Sequence, residues 1–280
     1  MFDFSSYLRR IGSALNLDVS RVCLQRIAFA HACAIPFENL DAFCGRPISL
    51  EPQQIESKLV HNRRGGYCFE QNALLAGVLQ QVGFSVALLS ARVWYSTTPN
   101  ETPPRTHLFL VVKLDEQPWL VDCGLGGSTP EGLMRLDLSG TVQTVGGELR
   151  RLVPVADRLI PTYMQQVQHS GHWVDVYEFT GESMPRIDQE MGNWWASTHP
   201  ESKFRRNLIV AILNSDGSRC RLMNREFVHR RGATVLHQET VKDAKRLEQI
   251  LEEFFGIQFD DVSELYHRVE HAVGLNIASG

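Results

Sequence analysis

The chain has 280 residues, 43% of them hydrophobic and 21% charged, and carries a formal net charge of −4. This is the composition of a folded globular protein, which excludes disordered, collagen-like and coiled-coil architectures, and the length suggests two domains or three small ones. The mild acidity argues against a dedicated nucleic-acid binder. No apolar run approaches the ~20 residues that cross a bilayer, and the first ten residues lack the positive-then-apolar order of a secretory signal. The six cysteines are too few for a disulfide scaffold, and none form a Cys-x-x-Cys pair. The chain is therefore read as cytoplasmic, with reduced thiols and no membrane or nucleic-acid partner.

Residues 1–83 read as helical. Apolar spacing predicts one helix from Ser20 to about Cys33 and another from Pro52, a good first-turn residue, to about His61. A third opens near Cys68, carries Phe69, Leu74, Leu75, Val78, Leu79 and Val82 as an apolar stripe, and ends at Gly83. From Phe84 the texture changes to short β-prone runs: Phe84 to Tyr95, His107 to Leu114 and Trp119 to Cys123. The same texture continues to about Phe179 and predicts a small barrel or sandwich. In the last third, Asn214 to Ser218 reads as the turn of a hairpin. Thr240-x-x-Asp243 then predicts a capping box, opening a helix through Val241, Ala244, Leu247, Ile250, Leu251 and Phe254 that closes at Gly256.

The densest chemical signal is Arg64-Gly65-Gly66-Tyr67-Cys68-Phe69-Glu70-Gln71-Asn72. Two glycines allow a tight approach, and a cysteine then falls in the first turn of an amphipathic helix. The partial positive charge and unpaired N–H groups there favour thiolate over thiol. A small core-filling residue beside a turn is the alternative. Thr106-His107 opens one β run and Asp122 closes the next. A hairpin turning near Asp115 to Gln117 brings His107 and Asp122 to the same end, with a bulge if the register needs one. Cysteine, histidine and aspartate then supply nucleophile, base and orienting carboxylate.

In that order, Arg-Gly-Gly-Tyr-Cys-Phe-Glu, Thr-His and Val-Asp-x-Gly resemble the arylamine N-acetyltransferases. The resemblance covers nearly the whole chain and includes Pro36-Phe37-Glu38-Asn39-Leu40, Gly192-Asn193-Trp194-Trp195 and His199-Pro200-Glu201-Ser202-x-Phe204. It implies an α+β fold around a cysteine-protease-like Cys-His-Asp core. A helical bundle over residues 1–83 would carry the nucleophile, a β-barrel over 84–190 the histidine and aspartate, and an α/β lid the remaining 191–280. It also implies Cys68, His107 and Asp122 as catalytic triad, Thr106, Gly124, Gly126 and Gly127 beside acetyl-CoA, and Phe37, Tyr67, Phe69, Val93, Leu125 and Phe204 around the acceptor. Leu125 is a departure, since family members often place an aromatic there. The implied activity is ping-pong N-acetylation of arylamines and arylhydrazines. The same Cys, His, Asp order also serves cysteine hydrolases, transglutaminase-like enzymes and amide-forming acyltransferases with other acceptors.

The remaining features have plainer readings. Cys123 neighbours Asp122 on a strand and faces the other way, while Cys23, Cys33, Cys44 and Cys220 read as buried small hydrophobes. No His-Glu-x-x-His or cysteine-pair spacing marks a metal site. Gly124 to Ser128 lacks the ending of a phosphate-binding loop and is either a tight turn or the lining of a cofactor channel. Arg64 and Glu38 either brace the cysteine loop or form a surface ion pair. From Glu201 to Gly232, Lys203 and seven arginines face three acids, as a solvated surface or as contacts to phosphates.

Overall fold

The computed structural model describes residues 3–12, 17–95 and 101–278. Helix α1 (Phe4–Arg10) leads to α2 (Arg21–Ala34), capped by Ser20, whose hydroxyl accepts from the Cys23 amide at 3.1 Å. Pro36 stops α2 from continuing, and the chain extends into a two-residue strand, β1 (Phe37–Glu38). Helices α3 (Leu40–Phe43) and α4 (Pro52–Glu56) follow, the latter running into a π-helical turn, Ser57–His61. Helix α5 (Cys68–Val82) ends at Gly83, whose φ of +110° suits a residue without a side chain. From Leu74 onward its predicted stripe packs with α2 in one core, to which Leu75, Val78 and Leu79 contribute fully buried side chains.

Eight strands follow: β2 (Ser85–Val93), β3 (His107–Leu114), β4 (Gln117–Val121), β5 (Met134–Arg135), β6 (Gln143–Val145), β7 (Glu148–Pro154), β8 (Tyr163–His169) and β9 (His172–Ser183). They form one antiparallel sheet in the order β5-β4-β3-β2-β9-β8-β7-β6. The sheet curls into a nearly closed barrel rather than a sandwich. Gln143 of β6 spans the gap, accepting from the Arg135 amide at 2.9 Å and donating to its carbonyl at 2.8 Å. Leu89, Phe109, Leu120, Leu152, Val176 and Phe179 fill the interior.

Helices α6 (Arg186–Thr198) and α7 (Lys203–Arg206) precede strands β10 (Ile209–Leu213), β11 (Ser218–Met223), β12 (Glu226–Arg231) and β13 (Thr234–Thr240). The chain finishes with α8 (Ala244–Phe255) and α9 (Val262–Ala278). The second sheet has the order β1-β10-β11-β12-β13. Its edge strand therefore comes from the stretch read as purely helical, with Phe37 paired to Ala211 and Glu38 to Val210.

Other expectations need correction. Thr240 is the last residue of β13, and the cap of α8 is Asp243 itself, which accepts from the Arg246 amide at 2.8 Å. Helix α9 and the β12–β13 hairpin lie where no element was anticipated. Cys33 and Cys44 are only half-buried.

Candidate active site

The loop before α5 is squeezed against β1. A side chain on Gly65 would put its Cβ 2.1 Å from the Pro36 carbonyl oxygen, and one on Gly66 would meet the Glu70 carboxylate at 2.7 Å. Only glycine fits at either position, and this close approach sets Cys68 as the first residue of α5, 2% exposed. Glu70 accepts from the Tyr67 amide at 3.1 Å, closing the helix start. The Cys68 thiol lies 3.4 Å from the Thr106 carbonyl oxygen.

Glu38 and Glu70 in the brace of this loop are buried and Arg64, Lys58 and Asp41 half-buried, which removes the surface-pair reading of Arg64 and Glu38. Arg64 donates to Glu38 through Nε and Nη2 at 3.0 and 2.7 Å and reaches Asp41 at 3.2 Å. Lys58 Nζ joins Asp41 at 2.8 Å and Glu70 at 2.7 Å. Desolvation opposes the Lys58 charge, but Glu70, Glu38 and Asp41 outweigh it and hold the ammonium above its ordinary value. With Glu38 wholly buried, loss of one partner would strand a charge in the interior.

His107 opens β3, 3% exposed, and Asp122 follows β4, also 3% exposed. The β3–β4 register is regular from Leu110 opposite Val121 to Leu114 opposite Gln117, around a turn at Asp115 and Glu116 with positive φ. Extended by one pair it sets Asp122 opposite Phe109, so His107 is its diagonal neighbour on the same face and no bulge is needed. His107 Nε2 meets Asp122 Oδ2 at 2.8 Å, which leaves Nδ1 as the ring nitrogen for Cys68. Burial works against a charged ring. The Asp122 carboxylate and a hydrogen bond with Cys68 prevail, and the imidazole pKa is pushed up to about 10. The Tyr177 ring covers the imidazole, with centroids 5.2 Å apart.

Asn72, quoted within the cysteine motif but given no role there, ties the three together. It lies one turn beyond Cys68 and is fully buried. Its amide donates to Asp122 Oδ1 at 3.1 Å and to the Leu108 carbonyl at 2.7 Å, and its oxygen accepts from the Cys123 amide at 3.1 Å. The legible signal was a polar residue on the buried side of an apolar helix. Cys123 points away, its thiol donating to the Ala28 carbonyl.

Of the residues implied for the acceptor, Phe37, Tyr67, Phe69 and Phe204 share one cluster with Cys68. Phe204 stands 5.4 Å from the Tyr67 ring and 6.0 Å from that of Phe37. Tyr67 and Phe69 are completely covered, whereas Phe37 and Phe204 each keep 7% exposure. Val93 and Leu125 are half-buried and pack against the barrel core instead. Among the described residues no group of three or more His, Cys, Asp or Glu side chains could hold a metal ion, and no helix is long and apolar enough to cross a membrane.

The N-acetyltransferase family model matches residues 22–264. The chain belongs to the arylamine N-acetyltransferases. The Escherichia coli arylamine N-acetyltransferase is 38% identical over 249 residues, covering 89% of this chain and 85% of that protein. The solved arylamine N-acetyltransferase of M. tuberculosis superposes with a TM-score of 0.89 at 36% identity, over 95% of this chain and 99% of that one. That of Mycobacterium marinum, in a complex with CoA, gives 0.87 at 36% identity, over 97% and 98%.

In this arylamine N-acetyltransferase family member the glycine-rich loop after Asp122 is held from both sheets. The Gly124 amide donates to Asp122 Oδ1 at 2.9 Å, and a Cβ there would sit 2.5 Å from the Cys68 Cα. Gly126, at φ +64°, lies under the Phe37 ring. Arg150 of β7 donates to the Ser128 carbonyl at 2.9 Å and Arg219 of β11 to that of Thr129 at 2.7 Å. Arg219 is only 6% exposed, so the basic run is not simply a solvated face.

Proposed function

We propose that Cys68, His107 and Asp122 transfer the acetyl group of acetyl-CoA to aromatic amines and hydrazines through an acetyl-cysteine. The supporting observation is the His107–Asp122 contact at 2.8 Å, which keeps the imidazole charged beside the Cys68 thiol. The Cys68 thiolate attacks the thioester carbonyl, the bond to the CoA sulfur breaks, and the departing thiolate takes the proton of His107. The amine then attacks acetyl-Cys68. The carbon–Sγ bond breaks, Cys68 leaves as thiolate, and neutral His107 accepts the proton the nitrogen loses. Atoms and charge return to the starting state. Aromatic amines are largely neutral at pH 7, so catalysis rests on positioning and on polarising the acyl carbonyl.

In this reading residues 1–83 bring the nucleophile, 84–190 its base and carboxylate, and 191–280 the cover, around a core of cysteine-protease type. Gly126, Gly127 and Thr106 border the acyl donor, and Phe37 and Phe204 border the acceptor. Six free cysteines fit a reducing, cytoplasmic setting. Intact-protein mass spectrometry tests the proposal. Acetyl-CoA alone should load one acetyl group, mapped to Cys68, and an arylamine should discharge it as the amide. Loading elsewhere, or discharge to water before amine is added, would overturn the reading. In Asp122→Asn, turnover should fall by up to the order of 10⁴ while circular dichroism reports an intact fold.

A further inference from the structure

Of the eight basic residues between 201 and 232, six are engaged within the protein. Arg206 pairs with Glu201, Arg219 with Glu131 and Arg231 with Asp216. Arg205, Arg225 and Arg230 donate to backbone carbonyls. Among the described residues Lys203 and Arg221 have neither a carboxylate nor a carbonyl partner, and both border the cluster that contains Cys68. Arg221 is directly paired with Ala211 across β10–β11, and Ala211 with Phe37 across β1–β10. Directly opposed residues share a face, so the guanidinium stem shares the face of Phe37 and Ala211, both in the Cys68 cluster. Its Cδ comes within 3.7 Å of a Cβ placed on Gly127 in the loop held against Cys68. Lys203 Nζ lies 5.3 Å from the ring of Phe204, which packs on Tyr67. The residue as a whole is exposed, yet desolvation of the ammonium, together with the Arg221 charge, pulls its pKa down against the opposing influence of Cys68.

Two cations that repel each other, with no carboxylate of the protein paired to either, are poised for an external one. The phosphates of CoA sit at the far end of the pantetheine arm from the thioester sulfur. Lys203, whose charge interacts with that of Cys68, and Arg221, beside Gly127 in the loop after Asp122, stand toward the reacting end. We propose that Lys203 and Arg221 form an anion subsite there, taking a carboxylate carried by the amine acceptor or by the acyl group in transfer. The subsite rests on the transferase reading above, and its geometry assigns the selectivity within it.

The test has two arms. In the first, wild-type protein acetylates 4-aminobenzoate or its methyl ester from p-nitrophenyl acetate, a donor without phosphate. In the second, malonyl-CoA is compared with acetyl-CoA using aniline as acceptor. A preference for the charged member should appear in one arm, which identifies the source of the carboxylate, and should shrink as salt is raised. Arg221→Met or Lys203→Met should reduce the charged-to-neutral ratio of kcat/KM by about tenfold or more, and Arg221→Lys should restore part of it. No charge preference in either arm of the wild type, or ratios unchanged in both Met variants, would overturn the subsite. So would a rise in KM for acetyl-CoA with those ratios unchanged, which would give the cations to the phosphates. Protection of Cys68 from iodoacetamide by benzoate, compared with benzamide, reads the subsite without turnover. Arg221-dependent protection in a protein that transfers no acetyl group would sink the transferase reading and leave the subsite standing.

Discussion

Asn72 holds Asp122 from the helix that carries Cys68, one turn away, through a 3.1 Å hydrogen bond that binds α5 to the barrel. The same amide group satisfies the Leu108 carbonyl and the Cys123 amide. Asn72→Ala should therefore orphan buried polar groups on β3 and just after β4 and lower stability by roughly 1–3 kcal/mol, measured by urea unfolding. Drift of Asp122 and His107 relative to Cys68 should reduce kcat on the order of 10²-fold. Asn72→Asp keeps the size but sets a second carboxylate beside Asp122 and should be worse on both counts. An Ala variant with wild-type kcat would remove Asn72 from the positioning of the site.

Gly124 is fixed by proximity alone. Its missing Cβ would lie 2.5 Å from the Cys68 Cα and 2.7 Å from the Asn72 amide nitrogen. Gly124→Ala must push α5 from the barrel, with an expected loss of about 1–3 kcal/mol and of most acetyl loading. Loading that proceeds at the normal rate would show that the loop can move aside without harm.

Thiol reactivity should single out one cysteine. Burial pushes Cys33 up to about 12 and also raises Cys44, Cys123 and Cys220. Cys68 alone hydrogen-bonds a charged imidazole. Limiting iodoacetamide near pH 7 should label Cys68 first by peptide mapping, acetyl-CoA should block that label, and His107→Ala should slow it. First labelling at another cysteine contradicts the assignment.

Two buried histidines give stability opposite pH dependences. His107 has its pKa pushed up to about 10 from 6.5, so its stabilisation is complete below 6.5 and is lost as pH rises toward 10. His31 is bound to Tyr7 at 2.9 Å and to Gln71 at 2.7 Å, but desolvation pulls it down to about 4. The unfolded chain takes up its proton first, so stability erodes as pH falls from 6.5 toward 4. From these two groups the melting temperature should peak near pH 6.5. His31→Gln should flatten the limb between pH 6.5 and 5, and Asp122→Asn the alkaline limb. A thermal-shift series that leaves both limbs unchanged contradicts the assignment.

Features readable from residue order alone are short-range. Helix α5 was legible because its stripe repeats every three to four residues and Gly83 ends it. The β3–β4 hairpin was legible because alternation and turn residues mark it locally, which brought His107 and Asp122 to one end, but its register was open to a bulge until the turn at Asp115 and Glu116 paired Leu114 with Gln117. The cysteine motif singled out Cys68 as the candidate nucleophile because a helix start is a chemical environment in its own right.

The tertiary structure decided what depends on partners distant in the chain. Phe37–Glu38 is too short to announce a strand and becomes one only because β10 offers it an edge. Arg219 looks like any member of a basic run until the Thr129 carbonyl, 90 residues away, takes its charge indoors. Phe37 and Val93 read alike as apolar residues, yet one packs with Cys68 and the other against the barrel. The same holds for Lys203 and Arg221: a lone cation is defined by where every possible counter-charge goes. Hydrophobic period and turn chemistry act over a handful of residues, whereas burial and charge pairing are set by the whole packed chain.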